Sequence, residues 1–255
     1  MTARPYLLIA LPCYNETENI IPLLKRFDEL SFVIKSICDV RVLVIDDAST
    51  DGLKAVVESH SSQAAISYIR HSENRGLTGG LVTAFTRFHE AVSSSHPPLA
   101  VGLMDGDNSH NPLTLVPMIQ KIFEGYDVVV ASRFRQGSRI MGVVWWRQIL
   151  SAVMAILFKI CRNIKGIRDY SCGYRVYSPM IVQKLHAAFG NEVVLEKNFA
   201  CMVELLRNCD EVGAVMTEVP FLLRYDFKRG ESKMRFFVTI LGTLRVLFRR
   251  SIIRC

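Results

Sequence analysis

Val40-Arg-Val-Leu-Val-Ile-Asp-Asp-Ala-Ser-Thr-Asp-Gly-Leu53 is a near-continuous apolar run that breaks into a polar turn and then enters a helical pattern, Leu53–Ser59. An apolar run without strict alternation is what a strand covered on both faces requires. Asp-Asp followed by Ser-Thr-Asp-Gly is good turn and helix-cap chemistry. The unit recurs outward in both directions. Candidate strands fall at Tyr6–Leu11, Ala65–Ile69, Leu99–Met104 and Asp127–Ala131, with amphipathic stretches at Glu18–Leu30, Gly80–Ser93 and Leu113–Phe123 between them. Strand–helix alternation predicts an α/β fold with a parallel sheet and right-handed crossovers. In such sheets the ligand lies beyond the carboxyl ends of the strands, so the residues just after each strand are the ones to read.

After residue 132 the pattern changes. Trp145–Arg162 reads as an apolar helix with basic ends, Val193–Asn208 as a second helix, Val212–Leu223 as a strand or hairpin, and Arg235–Ile253 as a final helix with arginines along it. No repeat or low-complexity linker interrupts the chain. The expected organisation is one domain over residues 1–235 and a basic amphipathic C-terminal helix over 236–255.

The 255 residues are half apolar and 22% charged, which excludes a disordered tail and a disulfide miniprotein. The net charge of +7 is unevenly placed. Residues 1–130 carry 10 basic and 15 acidic side chains, whereas 131–175 carry 9 and 1, and 221–255 carry 9 and 2. Two concentrated basic blocks behind an acidic half argue against a nucleic-acid coat and for a discrete anionic target, phosphates or an anionic membrane. Seven cysteines, an odd number with no CxxC spacing, and no leader-like segment predict reduced thiols in a cytoplasmic protein. No apolar run reaches the roughly 20 residues a spanning helix needs.

Four strand ends carry polar clusters: Pro12-Cys13-Tyr14-Asn15-Glu16, the Asp46–Gly52 turn, Asp105-Gly106-Asp107-Asn108-Ser109-His110, and Ser132-Arg133. Each alone reads as a turn; together, the topology brings them to one rim. Asp105 and Asp107 are the sharpest signal. Two carboxylates one residue apart, just past a buried strand, can face one hard cation, Mg²⁺ or Mn²⁺, shared with a ligand's phosphates. Gly106 lets a backbone or ligand approach closely.

The motifs Leu11-Pro-Cys-Tyr-Asn-Glu16, Val44–Gly52, Asn74-Arg-Gly-Leu-Thr-Gly-Gly80 and Met104-Asp-Gly-Asp107 together resemble the family 2 glycosyltransferases of the GT-A fold. Ala131-Ser-Arg133, Asp169-Tyr-Ser-Cys-Gly-Tyr-Arg175 and Gly230-Glu-Ser-Lys233 look like the polyprenyl-phosphate branch, the dolichyl-phosphate mannose synthases. The resemblance spans about residues 5–235. It implies a Rossmann-like, mostly parallel sheet flanked by helices. It implies that Pro12, Tyr14, Glu16, Ile45 and Asp47 contact the nucleoside of a GDP- or UDP-hexose. Asp105, Gly106 and Asp107 would meet ribose, diphosphate and metal, and Arg133 and Lys233 the diphosphate or acceptor phosphate. Arg147 and Ser151 fall near the acceptor phosphate. Such synthases often carry a metal-ligating Gln two residues after the second Asp; here that position is Ser109, followed by His110, which suits a capping role or one behind the ligands.

A lipid phosphate is already anionic and needs positioning, whereas a sugar hydroxyl needs a base to attack. The nine basic residues in 131–175 and the lack of a clear acidic pair later in the chain favour a polyprenyl or dolichyl phosphate acceptor; Glu196 sits near where a base would be sought. The alternatives are a family 2 enzyme acting on a glycan hydroxyl and a catalytically dead nucleotide-sugar-binding protein. The stretch Trp145–Lys165 fits an interfacial helix and a core helix equally well, while the one-sided charge of 236–255 favours a helix lying on a membrane surface. A loop at Glu231–Lys233 hinged at Gly230 would close over the donor.

Overall fold

The computed structural model describes residues 4–230 and 236–248. Seven strands form the main sheet: β1 (Tyr6–Cys13), β2 (Asp39–Asp46), β3 (Ala65–Arg70), β4 (Ala100–Leu103), β5 (Val128–Ser132), β7 (Arg175–Tyr177) and β8 (Met216–Pro220). Their order is β3-β2-β1-β4-β7-β5-β8. Every neighbouring pair is parallel except where β7 runs antiparallel between β4 and β5. A small second sheet pairs β6 (Arg139–Met141) with β9 (Leu222–Arg224) in parallel. The helices are α1 (Thr17–Ile34), α2 (Leu53–Ser59), α3 (Gly76–Val92), α4 (Leu115–Phe123), α5 (Trp145–Arg162), α6 (Pro179–Phe189), α7 (Ala200–Glu211) and α8 (Phe236–Phe248).

The core follows from the apolar runs. Leu7, Ile9 and Leu11 of β1 and Val42 and Val44 of β2 are fully buried, packed with Leu24 and Phe27 of α1 and Phe88 of α3. Each such side chain contributes about 1.5–3 kcal/mol by leaving water. β1 is central, so its carboxyl end opens into the middle of the rim, with the ends of β2 and β4 on either side. This is the mostly parallel α/β architecture expected from the alternating runs.

Two local expectations change. The helix expected over Val193–Asn208 begins only at Ala200. The buried carboxylate of Glu204 accepts the backbone N–H groups of Leu195 and Glu196, both at 2.7 Å, and so holds 193–199 as a loop. The Val212–Leu223 stretch is not a hairpin: β8 continues the main sheet beside β5, and β9 joins β6. Pro220, which has no N–H to donate, ends β8. The C-terminal helix is docked: Val246 and Leu247 of α8 are buried, Gly242 lies against Ala200 of α7, and Arg245 pairs with Glu196 at 3.5 Å.

Candidate active site

The strand-end clusters are stitched to one another. The Asn15 N–H donates to Ser49 Oγ (2.9 Å), the Thr50 N–H to Asn15 Oδ1 (2.8 Å) and the Thr17 N–H to Asp51 (2.9 Å). Asp46, with no exposed surface, fixes the second turn from within: it accepts from the Ser49 N–H, from Tyr68 and from Arg70. Burial pushes its carboxyl up, but these donors outweigh that and hold it below the usual range. Asn15, Ala48 and Asn108 follow β1, β2 and β4, and all have positive φ, 51°, 61° and 61°. Left-handed backbone in side-chain-bearing residues costs of order 1–3 kcal/mol and persists where surrounding bonds over-determine it.

Asp107 is held on both carboxylate oxygens. Its Oδ1 accepts from the Ser109 hydroxyl at 2.6 Å and the Ser109 N–H at 3.1 Å, and its Oδ2 from Lys228 Nζ at 2.8 Å. Burial alone would raise its carboxyl; the Lys228 charge and these hydrogen bonds override burial and hold it low. Asp105 is shifted the other way, raised first by burial and then by Asp107 against the pull of His110 and Lys228. One carboxylate of the pair is thus neutralised by the chain, and the other is left short of positive charge. Gly106 lies so close to Cys13 that a Cβ would collide with its Sγ, and Gly173 keeps the space beside Asp105 Oδ1 open. Ser109 therefore serves the site through Asp107. His110 is buried, stacks on Tyr174 at 5.1 Å, and its Nδ1 has no hydrogen-bond partner.

Arg133, at the end of β5, is held by Asp169. Its Nε and one Nη donate to the two carboxylate oxygens at 2.7 and 2.6 Å, and the same Nη reaches Ser171 Oγ at 2.7 Å. Asp169 is fully buried, and burial would raise its carboxyl, but the Arg133 charge and hydrogen bonds keep it low. Behind it, Glu218 accepts the Arg168 and Asp169 N–H groups. Buried Arg175 donates to the carbonyls of Tyr170, Cys172 and Met202, which shapes the 170–175 turn. Burial pushes the Cys172 thiol up to about 12, so it is inert.

Pro12, Tyr14, Glu16, Asp47, Asp105, Gly106, Asp107, Arg133, Arg147 and Ser151 all line one cleft of about 970 Å³. Ile45 is fully buried in β2, opposite Pro12 in register, and lies outside that lining. Lys233 lies outside the described residues, as do Glu231 and Ser232. Asp47 lines the cleft but spends its acceptors on the chain. It takes His71 Nδ1 at 2.7 Å and the Arg75 and Gly76 N–H groups at 2.8 and 2.7 Å, which places the loop that opens α3. The sequence does not mark Lys228: it precedes the Gly230-Glu-Ser-Lys233 motif, and its 121-residue separation from Asp107 leaves no local signal.

The model of glycosyl transferase family 2 matches residues 8–185. The chain belongs to that family. It is 27% identical over 236 residues to the polyprenol monophosphomannose synthase of Mycolicibacterium smegmatis, covering 91% of this chain and 83% of that one. It is 25% identical over 242 residues to the dolichol-phosphate mannosyltransferase of Pyrococcus furiosus, where it spans 94% of this chain and 62% of that longer one. Glucosyl-3-phosphoglycerate synthase of Mycobacterium tuberculosis, solved with Mn²⁺, UDP and glucosyl-3-phosphoglycerate, superposes with a TM-score of 0.64 at 15% identity, covering 96% of this chain and 79% of that one. The last likeness concerns the fold, the GT-A arrangement. The chain is a family 2 glycosyltransferase, and these two curated relatives are polyprenyl-phosphate mannosyl transferases.

Proposed function

We propose that this glycosyltransferase moves a hexose, mannose or glucose, with inversion from a GDP- or UDP-sugar to a polyprenyl or dolichyl phosphate at the cytoplasmic face of a membrane. The two faces of α5 carry this reading. Arg147, Ser151, Met154 and Phe158 recur at helical spacing and line the cleft. About half a turn round the same helix, Trp145, Val153, Ile156 and Ile160 are exposed, by 72, 51, 60 and 76%, and lie outside that lining. Such a stripe, flanked by Lys159 and Arg162, suits a headgroup–acyl boundary. Arg147 Nε is buried without a hydrogen-bond partner, a donor available to an anionic headgroup entering from the lipid side. No helix among the described residues is long and apolar enough to cross a membrane.

The remaining parts follow by their chemistry. Tyr14, 37% exposed, offers a ring to the nucleoside, with Pro12 and Glu16 beside it on the cleft wall. The donor set at Asp105 and Asp107 fits Mg²⁺ or Mn²⁺, because hard oxygens border the cleft and burial makes the charge of Asp105 costly until a cation meets it. Among the described residues no group of three acidic, His or Cys side chains could hold a metal, so the ion would share the diphosphate's oxygens and water. When bound, it would neutralise the departing nucleoside diphosphate. Arg133, held by Asp169 on the cleft wall, would meet the diphosphate or the incoming phosphate, and Lys233 would share that task. The acceptor phosphate oxygen needs no base, and Glu196 is engaged with Arg245 outside the cleft lining. On this reading residues 1–235 form the transferase domain, and α8 together with the arginine-bearing stretch 249–255, which lies outside the described residues, serves the same membrane.

Assay of GDP- and UDP-mannose and -glucose with a polyprenyl phosphate and Mn²⁺ should give one lipid-linked product with the anomeric configuration inverted. Transfer only to glycan hydroxyls would overturn the acceptor assignment. Ile156→Glu with Ile160→Glu should lower partitioning onto anionic vesicles at least tenfold, since each isoleucine contributes about 1.5–3 kcal/mol on burial. Turnover of a short, water-soluble prenyl phosphate should persist in this variant. Unchanged vesicle binding would dismiss α5 as the docking face.

A further inference from the structure

Lys228 Nζ and Asp107 Oδ2 are 2.8 Å apart, with the two side chains only 10 and 11% exposed. An ammonium therefore occupies the oxygen that the metal reading gives to a divalent ion. The contact is built by its surroundings. Asn19 of α1 clamps the backbone beside Lys228 from both sides: its Oδ1 accepts the Arg229 N–H at 2.9 Å and its Nδ2 donates to the Arg229 carbonyl at 3.0 Å. Glu16 orients that amide at 2.6 Å. The Arg224 N–H donates to the Ser109 carbonyl at 2.9 Å, and the guanidinium groups of Arg26 and Arg224 both lie over the Phe227 ring, at 4.7 and 3.6 Å. The strap 224–230 is thus anchored to α1 and to the turn that carries Asp107.

We propose that Lys228 is an exchangeable internal cation: it holds Asp107 while the donor is absent, yields it to the divalent ion, and then contacts the diphosphate that arrives with that ion. The inference rests on the metal reading of Asp105 and Asp107. Two cations on one carboxylate oxygen repel, so an ion arriving alone takes from the largely buried lysine the anion it is paired with. A diphosphate supplies the evicted ammonium with a new anion. Metal and nucleotide then favour each other's binding reciprocally. The same lysine also offsets the charge of Asp107 while the donor is absent.

The full-length protein can be titrated with Mn²⁺, following loss of the free-ion electron paramagnetic resonance signal. Without nucleotide, Lys228→Gln should bind Mn²⁺ about tenfold more tightly than wild type, the change expected for removing one charged competitor. At saturating Mn²⁺, the same variant should bind UDP or GDP about tenfold more weakly. Opposite shifts are the signature, because a merely structural lysine would weaken both. Asn19→Ala, which loosens the strap and leaves Lys228 in place, should tighten Mn²⁺ alone by a few-fold, and Lys228→Arg, which keeps the competing charge, should not show the opposite shifts of Lys228→Gln. Equal Mn²⁺ affinity in wild type, Lys228→Gln and Asn19→Ala would overturn the exchange while leaving the metal site intact. No Mn²⁺ binding by any form, even with nucleotide, would overturn the metal reading and the exchange with it.

Discussion

Asp107→Ala is expected to cut sugar transfer by about 10³-fold or more, equivalent to roughly 4 kcal/mol of lost transition-state stabilisation, while the protein remains folded. The size follows from what the carboxylate does. It sits just past β4, aimed into the cleft by two bonds from Ser109, and the charge of Lys228 keeps it ionised across the physiological range. Without it, a divalent ion at the diphosphate loses a charged protein ligand, and Lys228 loses its fixed position. The stability cost is small by comparison. The strand core of Val101 and Leu103 lies behind the turn, and the released Lys228 and Ser109 border an open cleft where water can satisfy them. About 1–2 kcal/mol is the expected loss of stability. Thermal melts together with turnover on the lipid acceptor separate the two effects. A folded Asp107→Ala enzyme with full turnover would remove the carboxylate from the mechanism.

Much of this site was legible because it lies at strand ends that the apolar periodicity locates. Asp46, Asp105, Asp107 and Arg133 each directly follow, or close, a run of buried residues, and a parallel sheet puts such positions on one rim whatever the loops do. Harder to read were residues whose role depends on tertiary partners. Asp47 has the sequence context of a ligand contact, yet His71 and the Arg75 and Gly76 N–H groups take up its oxygens. Glu204 sits in a helical pattern, and its reach back to Leu195 and Glu196 shortens the expected helix at its start. β7 is three residues long, too short for periodicity to reveal. α6 was legible in principle: Ser178 caps it, accepting from the Ile181 N–H, Pro179 opens it and Gly190 closes it. For α5 the sequence left a core and an interfacial reading open, because apolar content alone does not say which face is covered. The exposure of Val153, Ile156 and Ile160 shows a face left uncovered by the fold.

Asp169→Asn is expected to be the most destabilising single change at the site and to remove most activity as well. The Arg133–Asp169 pair is bidentate, with side chains 19 and 0% exposed, so the change leaves a buried guanidinium without its counter-charge. Removing one partner of such a pair costs about 3–5 kcal/mol, far more than the pair contributes over an apolar replacement of the same shape. Because the folded carboxyl is depressed, its contribution is fully present above the unfolded value of about 3.9 and fades as pH falls through the folded one. The stability gap between wild type and Asp169→Asn, measured by urea unfolding, should therefore be constant from pH 8 to about pH 5 and shrink below about pH 4. A gap that stayed constant to pH 2 would show that charge is not its cause. The double change Arg133→Met with Asp169→Asn, which keeps an acceptor for the Cys172 N–H, separates architecture from chemistry. It removes both charges from the buried site and should recover much of the stability lost by Asp169→Asn. Turnover should remain at the level of a protein with no guanidinium at the end of β5. If activity returned along with stability, Arg133 would be a strut of the 169–175 turn and not a contact for phosphate.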